Sequence, residues 1–301
     1  MKIIAPDFDL EKTLNCGQVF HWQKIGNAFA GTIDQLPISV EQHGAILKIH
    51  AATRELDGLK PSSSKRSGNV EAGRRDALEQ VVARYFALDH PLSKICAAFP
   101  HDPVMTAARD FCRGLRIIRQ PRWECLATFI TSSMKQVAHI RQISLTLRKR
   151  YGESKPILGH EIFAFPSAER IATLTEPELR TCALGYRAKN LLATARLVAT
   201  GDADLEAWSK LPDGELRARL CELSGVGAKV ANCVMLFAYE RLRAFPIDVW
   251  IERTLRQHYF PRKRKVTAQG LREFCDRYFG EHGGYAQQYL FHHARRGRRA
   301  G

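Results

Sequence analysis

The rhythm of apolar and polar positions changes once along the chain, near residue 76. Before that point, short β-type runs at 29–33, 37–41 and 45–50 predict strands, with His43-Gly44 as a hairpin turn. After it, Leu78, Val81, Val82, Tyr85 and Phe86 recur at the i, i+3, i+4, i+7, i+8 spacing of one helix face, and Asp76 is placed to cap the start. Further helices are expected near 91–99, 103–113, 122–133, 135–150, 167–174, 176–183, 186–199, 213–222, 228–240, 249–259, 267–279 and 284–296. The stretch of about 57–75 is polar and rich in Ser, Gly, Lys and Arg, as a linker would be. The pattern therefore predicts an α+β protein: a small N-terminal antiparallel β-sheet domain, 1–75, joined to a large all-α domain, 76–301.

Composition narrows the partners. The 46 Lys and Arg against 31 Asp and Glu leave a formal charge of +15, which attracts a polyanion or an anionic membrane. No apolar run approaches the length of a membrane span, and the N-terminus turns acidic too soon for a signal peptide, so an intracellular protein is expected. Three basic clusters, Arg148-Lys149-Arg150, Arg262-Lys263-Arg264-Lys265 and the tail from Arg295 to Arg299, read singly as solvated faces or frayed ends. Together they favour an anionic partner. The 8 cysteines are scattered with no Cys-x-x-Cys, which speaks against zinc and cysteine-bound iron–sulfur sites, and no metal or organic cofactor is implied.

The most informative segment is Leu-Ser-Gly-Val-Gly-Ala-Lys, 223–229, a glycine hairpin that leads into an apolar helix with Lys229 in its first turn. The positive end of the helix disfavours an ammonium there, and apolar surroundings act in the same direction, toward a neutral and nucleophilic amine. Gly225 and Gly227 allow unusual backbone angles and leave amides bare enough to meet phosphate oxygens. By itself the hairpin reads as an ordinary corner between two helices. Nineteen residues later, Phe-Pro-Ile-Asp-Val sets Asp248 to cap the next helix, with its carboxylate kept ionised by backbone N–H groups. A fixed anion beside a nucleophilic amine suits a reaction that develops positive charge on a sugar.

These segments resemble the helix–hairpin–helix DNA glycosylases. With Leu-Asn-Cys-Gly-Gln-Val-Phe-His-Trp at 14–22, Leu-Gly-Tyr-Arg-Ala-Lys at 184–189 and Ala-Gln-Gln-Tyr-Leu-Phe at 286–291, the chain is similar to the 8-oxoguanine DNA glycosylase/AP lyase family, with the helix–hairpin–helix at about 213–240. The resemblance implies a bifunctional enzyme of base excision repair that acts as a monomer on double-stranded DNA containing oxidised guanine, in cytoplasm or nucleoid if bacterial and in the nucleus if eukaryotic. It implies Lys229 as the nucleophile at C1′ and the Schiff-base former, and Asp248 as the group that stabilises the developing cation. The extruded base would lie between Cys233 and Phe291, with its Watson–Crick edge read by Gln287 and its N7 by the carbonyl of Gly17.

Gly225, Gly227 and Val230 would hold phosphates, Tyr186 would act as a wedge, and Arg187 would contact the orphaned cytosine. Three positions depart from the pattern of the eukaryotic members: Met134 stands where they carry a gap-filling asparagine, His139 where they carry a cytosine-gripping arginine, and Trp250 where they carry a phosphate-contacting histidine. Opposite-base reading is therefore expected to differ. Two other functions fit parts of the pattern. A related glycosylase for another oxidised base would share Lys229, and a non-catalytic helix–hairpin–helix protein would share the hairpin and the charge.

Overall fold

The computed structural model describes residues 1–52, 70–261 and 266–297. Residues 57–69 of the expected linker, the Arg262 to Lys265 cluster and the tail from residue 298 lie outside the described residues. Five antiparallel strands form the N-terminal sheet: β1 (Lys2–Ile4), β2 (Gln23–Ile25), β3 (Ala28–Ile33), β4 (Leu36–His43) and β5 (Ile46–Ala51), in the order β1-β5-β4-β3-β2. Phe29 pairs with Val40 and Val40 with Ile49, while Ile3 and Gln42 both pair with Leu47. Because side chains alternate across a strand, this register puts Ile3, Phe29, Ile38, Val40, Leu47 and Ile49 on one buried face. Gly31 shares that face, where a Cβ would come 2.7 Å from the Trp22 ring, so the packing there favours glycine.

Helix α1 (Leu10–Asn15), capped by Asp9, lies between β1 and β2, and none of these three elements is predicted by the pattern. Helix α2 (Val70–Tyr85) covers the buried face of the sheet with Leu78, Val82 and Tyr85, and the Tyr85 hydroxyl accepts from Trp22 Nε1 at 3.0 Å. It starts earlier than expected, so residues 70–75 are helix rather than linker, and Asp76 lies within it instead of capping it. Once Leu78 to Tyr85 are anchored, each residue added N-terminally gains a hydrogen bond without a new nucleus.

The helical region follows as α3 (Leu92–Ala97), α4 (Pro103–Phe111), α5 (Arg122–Ser132), α6 (Val137–Tyr151), α7 (Ala168–Ala172), α8 (Glu176–Arg180), α9 (Arg187–Thr200), α10 (Asp213–Glu222), α11 (Ala228–Ala238), α12 (Val249–His258), α13 (Ala268–Phe279) and α14 (Gly283–Gly297). It also holds a hairpin the pattern does not announce, β6 (Ser154–Ile157) and β7 (His160–Phe163), which packs Ile157 and Ile162 on Ala30 of the N-terminal sheet. Its turn is Leu158-Gly159, with φ +48 and +77, and leucine is a poor signal for left-handed backbone. A buried ion pair ties the two regions: Arg148 of α6 bonds Glu124 of α5 and donates to Thr32 Oγ1 of β3 at 3.0 Å. Among the described residues no helix is long and apolar enough to cross a membrane.

Candidate active site

Helices α10 and α11 form the hairpin around Gly225. Its φ of +81 is left-handed, and a Cβ would come within 2.7 Å of Asn190 Nδ2 on α9, so both conformation and packing require glycine. Gly227 is different: it caps α11 with extended backbone and open space around it, which leaves the first amides of the helix facing outward. The N–H of Ala231 already bonds Gly227, so the amides at 228, 229 and 230 are the free donors of the first turn. Val230 offers only that amide, because its side chain is buried.

Lys229 is half-buried, and its Nζ lies 5.2 Å from the centroid of the Phe129 ring. Phe129 in turn stacks on Phe237 of α11, 5.5 Å between centroids. One turn along α11, Cys233 lies within electrostatic reach of Lys229 and Asp248; burial pushes its thiol up to about 11, Lys229 pulling it down and Asp248 up. Asp248 caps α12, accepting from the Ile251 N–H at 2.8 Å. The expectation that capping would lower this carboxyl is corrected here: burial raises it above the usual carboxylate range. The Ile251 and Trp250 amides, Lys229 and Arg295 pull the other way without overcoming burial.

A second cluster forms where the N-terminal region meets α14. Gly17 follows α1 with φ +93, and a Cβ there would lie 2.8 Å from Arg295 Nη1 and 3.1 Å from Phe291 Cε1. Gln18, which the sequence does not mark as important, fixes this turn: its Nε2 donates to Arg116 O at 2.8 Å and its Oε1 accepts from the Ile118 N–H at 2.8 Å. From α14, Gln288 Nε2 donates to Cys16 O at 3.1 Å. Gln287 is buried, and its Oε1 has no hydrogen-bond partner among the described residues. The charge of Arg295 reaches Asp248, so the two clusters adjoin.

The remaining candidates lie on the turn between α5 and α6 and at the start of α9. Met134 is 94% exposed with φ +54, a conformation in which asparagine is far commoner than methionine. Arg187 is buried beneath this turn; its Nε donates to Ser133 O at 2.7 Å, its Nη2 to the same oxygen and its Nη1 to Leu184 O. Tyr186 is exposed and stacks on the Arg187 guanidinium, whose carbon is 4.4 Å from the ring centroid. His139 is exposed on the first turn of α6, and Trp250 is half-buried beside Asp248. Sequence reasoning missed Phe129, whose apolar helix offers no signal, and Arg295, which reads as part of a solvated tail. All eight cysteines are unpaired, and no group of side chains suited to a metal occurs among the described residues.

Residues 2–126 match the family described as the 8-oxoguanine DNA glycosylase N-terminal domain, and residues 127–277 match the HhH-GPD superfamily of base excision DNA repair proteins. The probable N-glycosylase/DNA lyase of Methanothermobacter thermautotrophicus is 27% identical over 98% of this chain and 96% of its own length. The N-glycosylase/DNA lyase OGG1 of Arabidopsis thaliana is 27% identical over 97% of this chain and 78% of that protein. Among solved structures, the Clostridium acetobutylicum 8-oxoguanine glycosylase/lyase, bound to duplex DNA with cytosine opposite 8-oxoguanine, superposes with a TM-score of 0.84 at 28% identity, covering 99% of this chain and 98% of that one.

Proposed function

The chain belongs to the 8-oxoguanine DNA glycosylase branch of the helix–hairpin–helix base excision repair proteins, and from that premise we propose that Lys229 and Asp248 carry its chemistry. The protein is a DNA glycosylase with AP lyase activity that excises 8-oxoguanine from duplex DNA. The observation that most supports the residue assignment is the convergence of Lys229, in the first turn of α11, with Asp248, the N-cap of α12, within electrostatic reach of each other and of Cys233.

In this reading the target nucleotide leaves the duplex, since the reacting carbon is out of reach inside it. The Lys229 nitrogen bonds to C1′ as the bond from C1′ to the base breaks, and the base departs with the bonding pair and takes up a proton. Asp248, in its ionised form, stabilises the positive charge that develops on the sugar. Ring opening gives the Schiff base, and loss of a C2′ proton expels the 3′ phosphate by β-elimination. The amides at 228–230 and the bare Gly225 to Gly227 backbone hold DNA phosphates.

Base selection follows from hydrogen-bond polarity. Guanine presents N7 as an acceptor, whereas 8-oxoguanine carries a hydrogen there, so the Gly17 carbonyl bonds the lesion and repels the normal base. Phe291 and Cys233 flank the base, and the unpaired Oε1 of Gln287 accepts from its Watson–Crick edge. Met134 and Tyr186 meet the gap and the flanking stack, and Arg187 and His139 face the orphaned partner base.

Borohydride reduction in the presence of a duplex containing 8-oxoguanine tests this assignment. The wild-type chain should become covalently linked to DNA, and Lys229→Gln should bind the same duplex without excision or trapping. Trapping that persists in Lys229→Gln would remove Lys229 from its role. A non-catalytic DNA-binding protein would give no adduct with any lesion.

A further inference from the structure

Next to Gly17 lies a cavity of about 280 Å³ whose lining includes Asn15, Gly17, Val137, Arg141, His292 and Arg295, with no carboxylate among the described residues along its wall. Arg295 reaches it from α14: its guanidinium carbon is 5.1 Å from the centroid of the Phe291 ring, and its Nη1 donates to Cys16 O at 3.3 Å. Arg141 reaches it from α6. It is half-buried, it makes neither a hydrogen bond nor an ion pair with any described residue, and burial lowers the pKa of its guanidinium from the usual arginine value. Among the described residues nothing supplies the compensation that a cation in that position requires, and the cavity is where an electron-rich group could supply it.

Resting on the assignment of Gly17 and Phe291 to the base site, we propose that Arg295, backed by Arg141, is a specificity-determining residue that gives the Gly17 end of this site a positive edge. That edge favours purines bearing an oxygen at C8 and excludes purines made cationic by alkylation at N7. An 8-oxoguanine whose N7–H meets the Gly17 carbonyl directs its C8 oxygen to the same end, where a guanidinium donor is complementary. An N7-alkylated guanine is wrong twice over: it has no hydrogen for the carbonyl, and it brings a delocalised positive charge toward two arginines. Repulsion of the wrong ligand is as effective a source of selectivity as attraction of the right one. The stacking of Arg295 on Phe291 fixes the cation where this comparison is made, because the planar guanidinium and the ring hold each other in place.

The test is a binding comparison that needs no bond cleavage. Duplexes carrying 2′-fluoro nucleotides of 8-oxoguanine, guanine or N7-methylguanine are titrated with wild type, Arg295→Met, Arg295→Lys and Arg141→Met. Arg295→Met keeps an unbranched chain over Phe291 but removes the charge, and it should narrow the preference for 8-oxoguanine over N7-methylguanine by about tenfold or more. Arg295→Lys should keep most of that preference, and Arg141→Met should lose a smaller part of it. A merely structural role would weaken all three ligands alike and leave the ratio unchanged. An unchanged ratio in Arg295→Met, with a melting temperature like that of wild type, overturns the proposal. If Arg295→Met does not fold, loss of the preference in a folded Arg295→Lys, or no loss in a folded Arg141→Met, overturns it instead. Because binding does not depend on Lys229, failure of the borohydride experiment would sink the assigned chemistry without touching this ratio.

Discussion

The amine of Lys229 sits over the face of Phe129, 5.2 Å from its centroid, although the two residues lie a hundred positions apart on α11 and α5. The ring is itself held by stacking on Phe237, so the floor beneath this amine is an aromatic pair. A ring face attracts the charged form of the amine and limits where its flexible stem can rest. Phe129→Leu should therefore lower single-turnover excision about tenfold, corresponding to roughly 1.4 kcal/mol, with binding to intact duplex little changed. The swap should destabilise the fold by on the order of 1 kcal/mol, which a melting curve measures separately. Excision at the wild-type rate in Phe129→Leu would show that the ring only fills space.

Asp248 combines capping with a carboxyl raised by burial. Asparagine caps helices about as well, so Asp248→Asn should change stability by less than about 1 kcal/mol while reducing base excision severely. The sign of the pH effect follows from the raised value. In the proposed mechanism the ionised form stabilises the sugar cation, so excision should fall as pH drops through an acid limb lying above the ordinary aspartate value of 3.8. For stability the sign is opposite: a carboxyl raised in the folded state favours folding at low pH, and that contribution is lost as pH rises through the folded value. A pH–rate profile of single-turnover excision should show the limb in wild type and not in Asp248→Asn.

Recognition of the opposite base should be weak. A bidentate arginine contact gives roughly 1–3 kcal/mol of discrimination, and a histidine at position 139 has fewer donors. Arg187, the arginine that remains, already spends its nitrogens on Ser133 O and Leu184 O, so meeting a base requires giving up some of those bonds. Met134 can fill the vacated space but lacks the two-way hydrogen bonding of an amide. Excision of 8-oxoguanine opposite cytosine should exceed that opposite the other bases by less than about a hundredfold, or about 2.7 kcal/mol. His139→Arg should widen the gap. Single-turnover rates against all four partners decide the matter.

Salt dependence should be steep. With a net charge of +15 and the phosphate contacts proposed for the hairpin amides, duplex affinity should fall by orders of magnitude between roughly 50 and 200 mM salt. A nearly flat titration would mean that the charge serves something other than the DNA backbone.

Much of this protein is determined by its sequence alone. The short β-type runs at 29–33, 37–41 and 45–50 mark the central strands, and the helical stripes from Leu78 onward give the helices within a few residues. The hairpin, Lys229 and the Asp248 cap are legible because their requirements are local: left-handed backbone at Gly225, an extended approach through Pro246, and a side-chain acceptor at a helix start.

What the tertiary structure alone decides is whatever depends on distant neighbours. The direction of the Asp248 shift is such a case, since capping is local whereas the burial that outweighs it comes from packing. The inward turn of Arg295 toward Gly17 is another, for a residue that reads as part of a basic tail until α14 is docked against the N-terminal turn. The Phe129 floor, the Gln18 clamp and the employment of Arg187 beneath Met134 belong to the same class. Each joins segments far apart in the chain. Periodicity and composition carry no record of such contacts, because they arise only when the two regions close on each other.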